Sequence, residues 1–166
     1  MATELTATSK GMWLTLAFSV IAIFFSLLIG TRMFEKERSY LCPAPGVLLL
    51  NSTAFTLTLA RTPGEWEQGL SGKEKLKENE GMLFVFPDSA VREFWMKDMN
   101  FALDIIWIDS AWKVLDTAEN ATPESYPNIF RSPDGVKYVL EVNAGTAEHL
   151  RVFPGSILTP SECGEQ

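Results

Sequence analysis

Two carboxylates stand in apolar frames. In FALDIIWID, residues 101–109, strand alternation places Asp104 with Ile106 and Ile108, and Leu103, Ile105 and Trp107 on the other face. In VKYVLEVNAG, residues 136–145, the same period groups Glu141 with Val139 and Asn143, opposite Tyr138, Leu140 and Val142. A carboxylate among aliphatic side chains is costly unless it is hydrogen-bonded or paired. One reading is architectural: each acid accepts backbone N–H groups at a turn, or pairs with Lys97 or Arg92. The other is chemical. Asp104 and Glu141 would act as acid and base with their pKa values pushed apart, and Lys97 would stabilise developing negative charge. Glycoside hydrolysis by such a pair needs the two carboxyls roughly 5–9.5 Å apart across an open cleft.

The segment FWMKDM, residues 94–99, carries the densest mixture of groups. Phe94 and Met96 share one strand face, Trp95 and Lys97 the other. An indole beside an ammonium and the Asp98 carboxylate can stack on and hydrogen-bond a sugar-like or peptide-like ligand. The same three residues can also simply decorate a strand end. Met82, Met96 and Met99 suggest thioether ligands for copper, but methionine is ordinarily core filler, and no metal is assigned. One histidine and two cysteines leave no zinc cluster or iron–sulfur set and little room for a His-based triad. His149, on a short helix, reads as a surface or packing residue. Asn51-Ser52-Thr53 and Asn120-Ala121-Thr122 match glycosylation sequons, at a length that chance supplies.

Without a nucleophile elbow, a metal set or a second histidine, a non-catalytic module outranks an enzyme. It would bind a small polar ligand or an envelope partner, with Trp95, Lys97, Asp98, Asp104 and Glu141 as candidate contacts. The alternative is a hydrolase or lyase using Asp104, Glu141 and Lys97. No cofactor is implied.

The elements that must position these residues are mostly strands. Val47–Leu50 and Phe55–Ala60 flank Asn51-Ser52 as a hairpin. Thr62, Pro63 and Glu65 form a capping box that starts a helix running through Gln68 and stopping at Gly69. Strands follow over Met82–Phe86, Arg92–Lys97, Asp104–Asp109 and Trp112–Thr117, expected as neighbours in one antiparallel sheet with Leu103 and Trp107 in its core. Val136–Asn143 is another strand, Thr146–Arg151 a short helix capped by Thr146, and Ser156–Thr159 a last strand. The pattern implies a β-rich α+β domain over residues 46–160, a strongly curved antiparallel or mixed sheet or small barrel with two short helices.

Ahead of that domain, residues 12–29 read MWLTLAFSVIAIFFSLLI, without a charge. About 20 helical residues cross the roughly 30 Å hydrocarbon core of a bilayer. The run exceeds a signal-peptide core, and GTRMFEKERSY after it offers no small-residue cleavage site, so an uncleaved single-pass anchor over 12–30 is expected. Residues 1–11 form a short cytoplasmic tail, 31–45 a linker and 161–166 a tail. Arg32, Lys36 and Arg38 follow the span while Lys10 precedes it, which by charge favours a cytoplasmic domain. Cys42 and Cys163 argue the other way. They bracket the domain, and domain ends are often close, so a disulfide there would close a long loop, nominally worth about 4–5 kcal/mol, and would persist only outside the cytosol. The expectation is an extracytoplasmic domain held by a membrane helix.

From residue 40 onward ten basic residues face eighteen acidic ones, a net charge of −8. Such a surface lacks the Lys/Arg stripe that phosphate neutralisation demands, so nucleic acid is excluded as a partner. It would also be held off an anionic membrane surface.

The ordered run ART…E…GLSGK…GMLFVF…FWMKDMNFALDIIWID…VLEVNAG…GSIL, from about Thr58 to Ile157, resembles the bacterial and archaeal family called domain of unknown function 192. That resemblance implies a compact β-rich α+β fold, often behind a signal peptide or anchor, and no established reaction, substrate or cofactor. The family's habitual Asn and Thr are replaced here by Asp98 and Met99.

Overall fold

The computed structural model describes residues 46–160; residues 12–29, Cys42 and Cys163 lie outside them. Among the described residues no helix is long and apolar enough to cross a membrane.

Strand β1 (Val47–Leu50) turns into β2 (Thr53–Ala60) with Leu50 opposite Thr53. Asn51 and Ser52 between them both take positive φ, 45° and 73°, as a two-residue hairpin turn matched to strand twist requires. Helix α1 (Pro63–Gln68) starts at the expected capping box. The Thr62 hydroxyl accepts from the Glu65 amide, and the Glu65 carboxylate accepts from the Thr62 amide at 2.9 Å and the Arg61 amide at 2.7 Å. These amides hold the Glu65 carboxyl below its ordinary range. Gly69, at φ 48°, ends the helix.

The remaining strands are β3 (Glu80–Ala90), β4 (Glu93–Phe94), β5 (Leu103–Ile108), β6 (Val114–Ala121), β7 (Phe130–Arg131), β8 (Val136–Asn143) and β9 (Thr159–Pro160). Helix α2 spans Thr146–His149. Seven strands form one curled, mixed sheet in the order β6-β5-β8-β3-β2-β1-β9, while β4 and β7 pair separately. Among the described strands only β2 and β3 run parallel as neighbours, and the crossover that parallel pairing demands contains α1.

The fold class is therefore β-rich with two short helices, but the strand order departs from the expected succession. Strand β8 lies between β3 and β5, pairing antiparallel with both. The Arg92–Lys97 strand is reduced to Glu93–Phe94, because Asp98 turns left-handed (φ 55°) and the chain bends beyond Trp95. Its alternation nevertheless persists, with Met96 buried and Trp95 and Lys97 exposed. Helix α2 is capped by Gly145 rather than Thr146, and ends before Arg151, whose φ is 53°.

Both faces of the sheet are covered, so every residue of β5 is buried. One core contains Leu83, Ile106, Leu140, Val142 and Ala147; the other contains Phe84, Met96, Leu103, Ile105, Trp107 and Val139. Leu103 and Trp107 thus occupy a core as expected, and so does the opposite face. Met82 and Met96 pack in the second core, with the half-buried Met99 against it.

Candidate functional site

Asp104 is fully buried, and backbone amides account for its burial. Its Oδ1 accepts from the Asn120 amide at 2.9 Å and its Oδ2 from the Ala147 amide at 2.8 Å. The first bond holds the end of β6, where Asn120 has φ 54°; the second serves the first turn of α2, whose own cap glycine has no side chain to offer. Asp104 therefore joins three elements from one strand position.

Glu141 has no such partners. The β5–β8 register sets Ile105 opposite Glu141 and Asp104 opposite Val142, so the two acids project from opposite faces of the sheet. This corrects their pairing as acid and base: the sheet itself separates them. Glu141 is only 6 % exposed, and its Oε2 has no hydrogen-bond partner among the described residues. Burial alone pushes its carboxyl up to about 8, since no counter-charge reaches it. It is protonated at neutral pH.

Glu141 is a buried residue in the lining of a groove of about 360 Å³ between α1 with its following loop and the segment 92–99. Trp66, Phe84, Phe86, Phe94 and Trp95 contribute aromatic walls. Phe84 meets Phe94 edge to face, centroids 4.9 Å apart, and Trp66 tilts against Phe86 at 5.0 Å. Arg92 lies 3.9 Å above the Phe86 ring and bonds the Asp88 carboxylate at 2.9 Å and the Asp88 carbonyl at 2.7 Å. That pairing keeps the Asp88 carboxyl below its ordinary range. Two further buried donors, Arg92 Nε in the groove wall and Trp107 Nε1 in the second core, lack partners among the described residues.

A more polar depression of about 390 Å³ adjoins the groove, sharing Glu67, Gln68, Ser71 and Trp95 with it and adding Lys97 and Asp98. The rim is stitched to the loop after α1 by the Ser71 hydroxyl on the Lys97 carbonyl (2.9 Å) and the Gly72 amide on the Asp98 carbonyl (2.8 Å). Trp95, Lys97 and Asp98 are all exposed, and the charged ends of Lys97 and Asp98 have no partner among the described residues.

Of the candidates read from sequence, the structure thus places Trp95 and Glu141 in the groove, Lys97 and Asp98 with Trp95 in the adjoining depression, and Asp104 behind the sheet. Lys97 pairs with neither acid. His149 is exposed on α2. Sequence reasoning missed the walls. In GMLFVF, alternation already puts Phe84 and Phe86 on the face of Met82, and Met82 stands opposite Glu141 in the β3–β8 ladder. Trp66 sits on α1 with its indole N–H bound to the Ala60 carbonyl at 3.0 Å, which fixes the ring as a wall.

No curated protein matches this chain. Among solved structures it is similar to a protein of Sinorhizobium meliloti described as a candidate transcription regulator. The two are 37% identical, the match covers 69% of this chain and 90% of that one, and the TM-score is 0.64. It is also similar to a protein of unknown function from Novosphingobium aromaticivorans, 32% identical over 64% of this chain and 75% of that one, with a TM-score of 0.61. The family pattern of domain of unknown function 192 (DUF192), described as "Uncharacterized ACR", matches residues 47–159, from the first residue of β1 to the first of β9. The chain belongs to the DUF192 family.

Proposed function

We propose that this protein is a membrane-anchored, extracytoplasmic, non-catalytic module that binds a small polar ligand in the groove between α1 and the FWMKD segment. The observation that carries the reading is Glu141: a carboxyl in the lining of an open groove, whose buried Oε2 has no partner among the described residues. A lone buried polar group is an expense in a purely structural core, and a ligand's polar end would relieve it. The volume lies within the range of small-molecule sites, and Trp95 offers an exposed ring at the mouth. A hydrolase of the two-carboxylate kind finds no support, since Asp104 is on the other face. A regulator that touches DNA would need a basic surface, whereas residues 40–166 carry −8.

The proposed anchor is residues 12–30, and a Cys42–Cys163 disulfide would tie the domain's tail to its linker. Thiol labelling of intact membranes before and after reduction tests the disulfide; two freely reactive thiols refute it. Binding is tested by tryptophan fluorescence of the full-length chain against sets of neutral sugars, amino acids and amines. A response that disappears in Trp95→Ala is expected. No response from any of the three sets rejects the groove as a site.

A further inference from the structure

We propose that the groove takes a small organic cation, an alkylammonium, whose charged end meets the Glu141 carboxyl while its carbon atoms lie against Trp66, Phe86, Phe94 and Trp95. This deepens the binding reading above and rests on it.

Three observations select a cation. First, the neutral polar groups around the groove are already engaged with the protein. The Trp66 indole binds the Ala60 carbonyl, the Gln68 amide binds the Ser71 carbonyl at 2.9 Å, and the Ser71 hydroxyl binds the Lys97 carbonyl. A polyhydroxylated ligand needs several free donors and acceptors, and the groove presents few, the buried Arg92 Nε–H and the Glu67 and Glu141 carboxyls; a ligand with one polar end needs a single group, and Glu141 can be it. Second, the remaining walls are rich in aromatic rings, whose negative quadrupole attracts an ammonium, as the Phe86 ring already attracts the Arg92 guanidinium.

Third, the charge balance around Glu141 is acidic. From β8 itself comes Glu141; its ladder neighbours Met82 on β3 and Ile105 on β5 are uncharged. From the segment 92–95 come Arg92, which is paired with Asp88, and Glu93, which is paired with Arg131 at 2.9 Å. From α1 comes Glu67, with no partner among the described residues. Lys97 and Asp98 offset one another in the adjoining depression. The charge left unbalanced on the walls is therefore Glu67, which would draw a cation in and repel an anion.

Binding has a proton balance. The carboxyl is protonated in the free protein at neutral pH, with burial as the cause. Forming the ion pair requires that the O–H proton leave to solvent as the ammonium arrives with its own protons retained. One proton is released per cation bound below about pH 8, and none well above it.

The test is calorimetric titration of the full-length chain with n-butylammonium chloride, in two buffers of different ionisation enthalpy, from about pH 6 to about pH 9. The expected result is an affinity that rises nearly tenfold per pH unit up to about 8 and then levels, with one proton released at the acid end. Glu141→Gln, nearly isosteric, should weaken the amine at least tenfold at the alkaline end and abolish the pH dependence. n-Butanol, of the same length but uncharged, should bind more weakly and release no proton. If n-butanol or a neutral sugar binds as well as the amine, in a manner lost in Trp95→Ala, the cation assignment falls while the groove remains a site. Failure of n-butylammonium, n-butanol and sugars alike overturns both. Unaltered amine binding in a folded Glu141→Gln variant overturns the assignment by itself.

Discussion

Asp104 and Glu141 stand one residue out of register across the β5–β8 ladder, Asp104 opposite Val142 and Glu141 opposite Ile105, so two buried carboxyls point away from each other through one sheet. Each lies in an apolar frame, yet their environments are opposite in kind. Asp104 accepts two backbone amides from elements that would otherwise leave those amides bare. Glu141 meets only side chains and open groove. One acid holds the fold together, and the other is held in place by it.

Removing the Asp104 carboxylate should therefore damage the scaffold. Asp104→Ala strands the buried Ala147 amide and the part-buried Asn120 amide, and should cost about 3–5 kcal/mol in urea unfolding. Asp104→Asn retains one acceptor oxygen and should cost less. A loss below about 1 kcal/mol for the alanine variant would refute the pinning role.

Glu141 should lower stability as pH rises. Its folded pKa of about 8 exceeds the ordinary 4.5, so the native state holds a proton that the unfolded chain gives up between those values. Stability then falls from about pH 4.5 to about pH 8. Glu141→Gln cannot ionise and should be more stable than the parent by about 3 kcal/mol at pH 7, and nearly equal to it near pH 4.5. Denaturant midpoints of both proteins across that range check the crossover.

The rim should be dispensable to folding. Trp95 is 45% exposed and Lys97 has no partner among the described residues, so Trp95→Ala and Lys97→Ala should each shift stability by less than about 1 kcal/mol. A loss of about 3–5 kcal/mol for Lys97→Ala, rescued by neutralising Glu141, would reveal a buried ion pair and remove Lys97 from the rim.

Asp98 answers first to its backbone. With φ at 55° it occupies the left-handed region, where Asn, Asp and Gly are tolerated and β-branched residues are strained. Asp98→Asn and Asp98→Gly should leave stability nearly unchanged, whereas Asp98→Val should cost about 1–3 kcal/mol by thermal unfolding. Asp98→Asn preserves the turn and alters only the charge in the polar depression.

Local chemistry was legible from residue order wherever nearest neighbours carry it. The Asn51-Ser52 turn needs two positive φ values, which those residues tolerate, and Thr62, Pro63 and Glu65 satisfy one another within a single turn. Each strand's two faces were equally readable, because a period of two requires no partner. What residue order left open was the relation between strands. A one-residue change of register moves a side chain through the sheet, and the register that parts Asp104 from Glu141 is set by how both apolar faces fill their cores. Strand β8 entering between β3 and β5 is a decision of the same kind, since it depends on which ladder buries more surface rather than on any short motif. Asp104 became a structural clasp because amides 16 and 43 residues away arrive at its two oxygens. Glu141 remained unpartnered because α1 and the FWMKD segment, distant in sequence, fold over it without bringing a donor within reach.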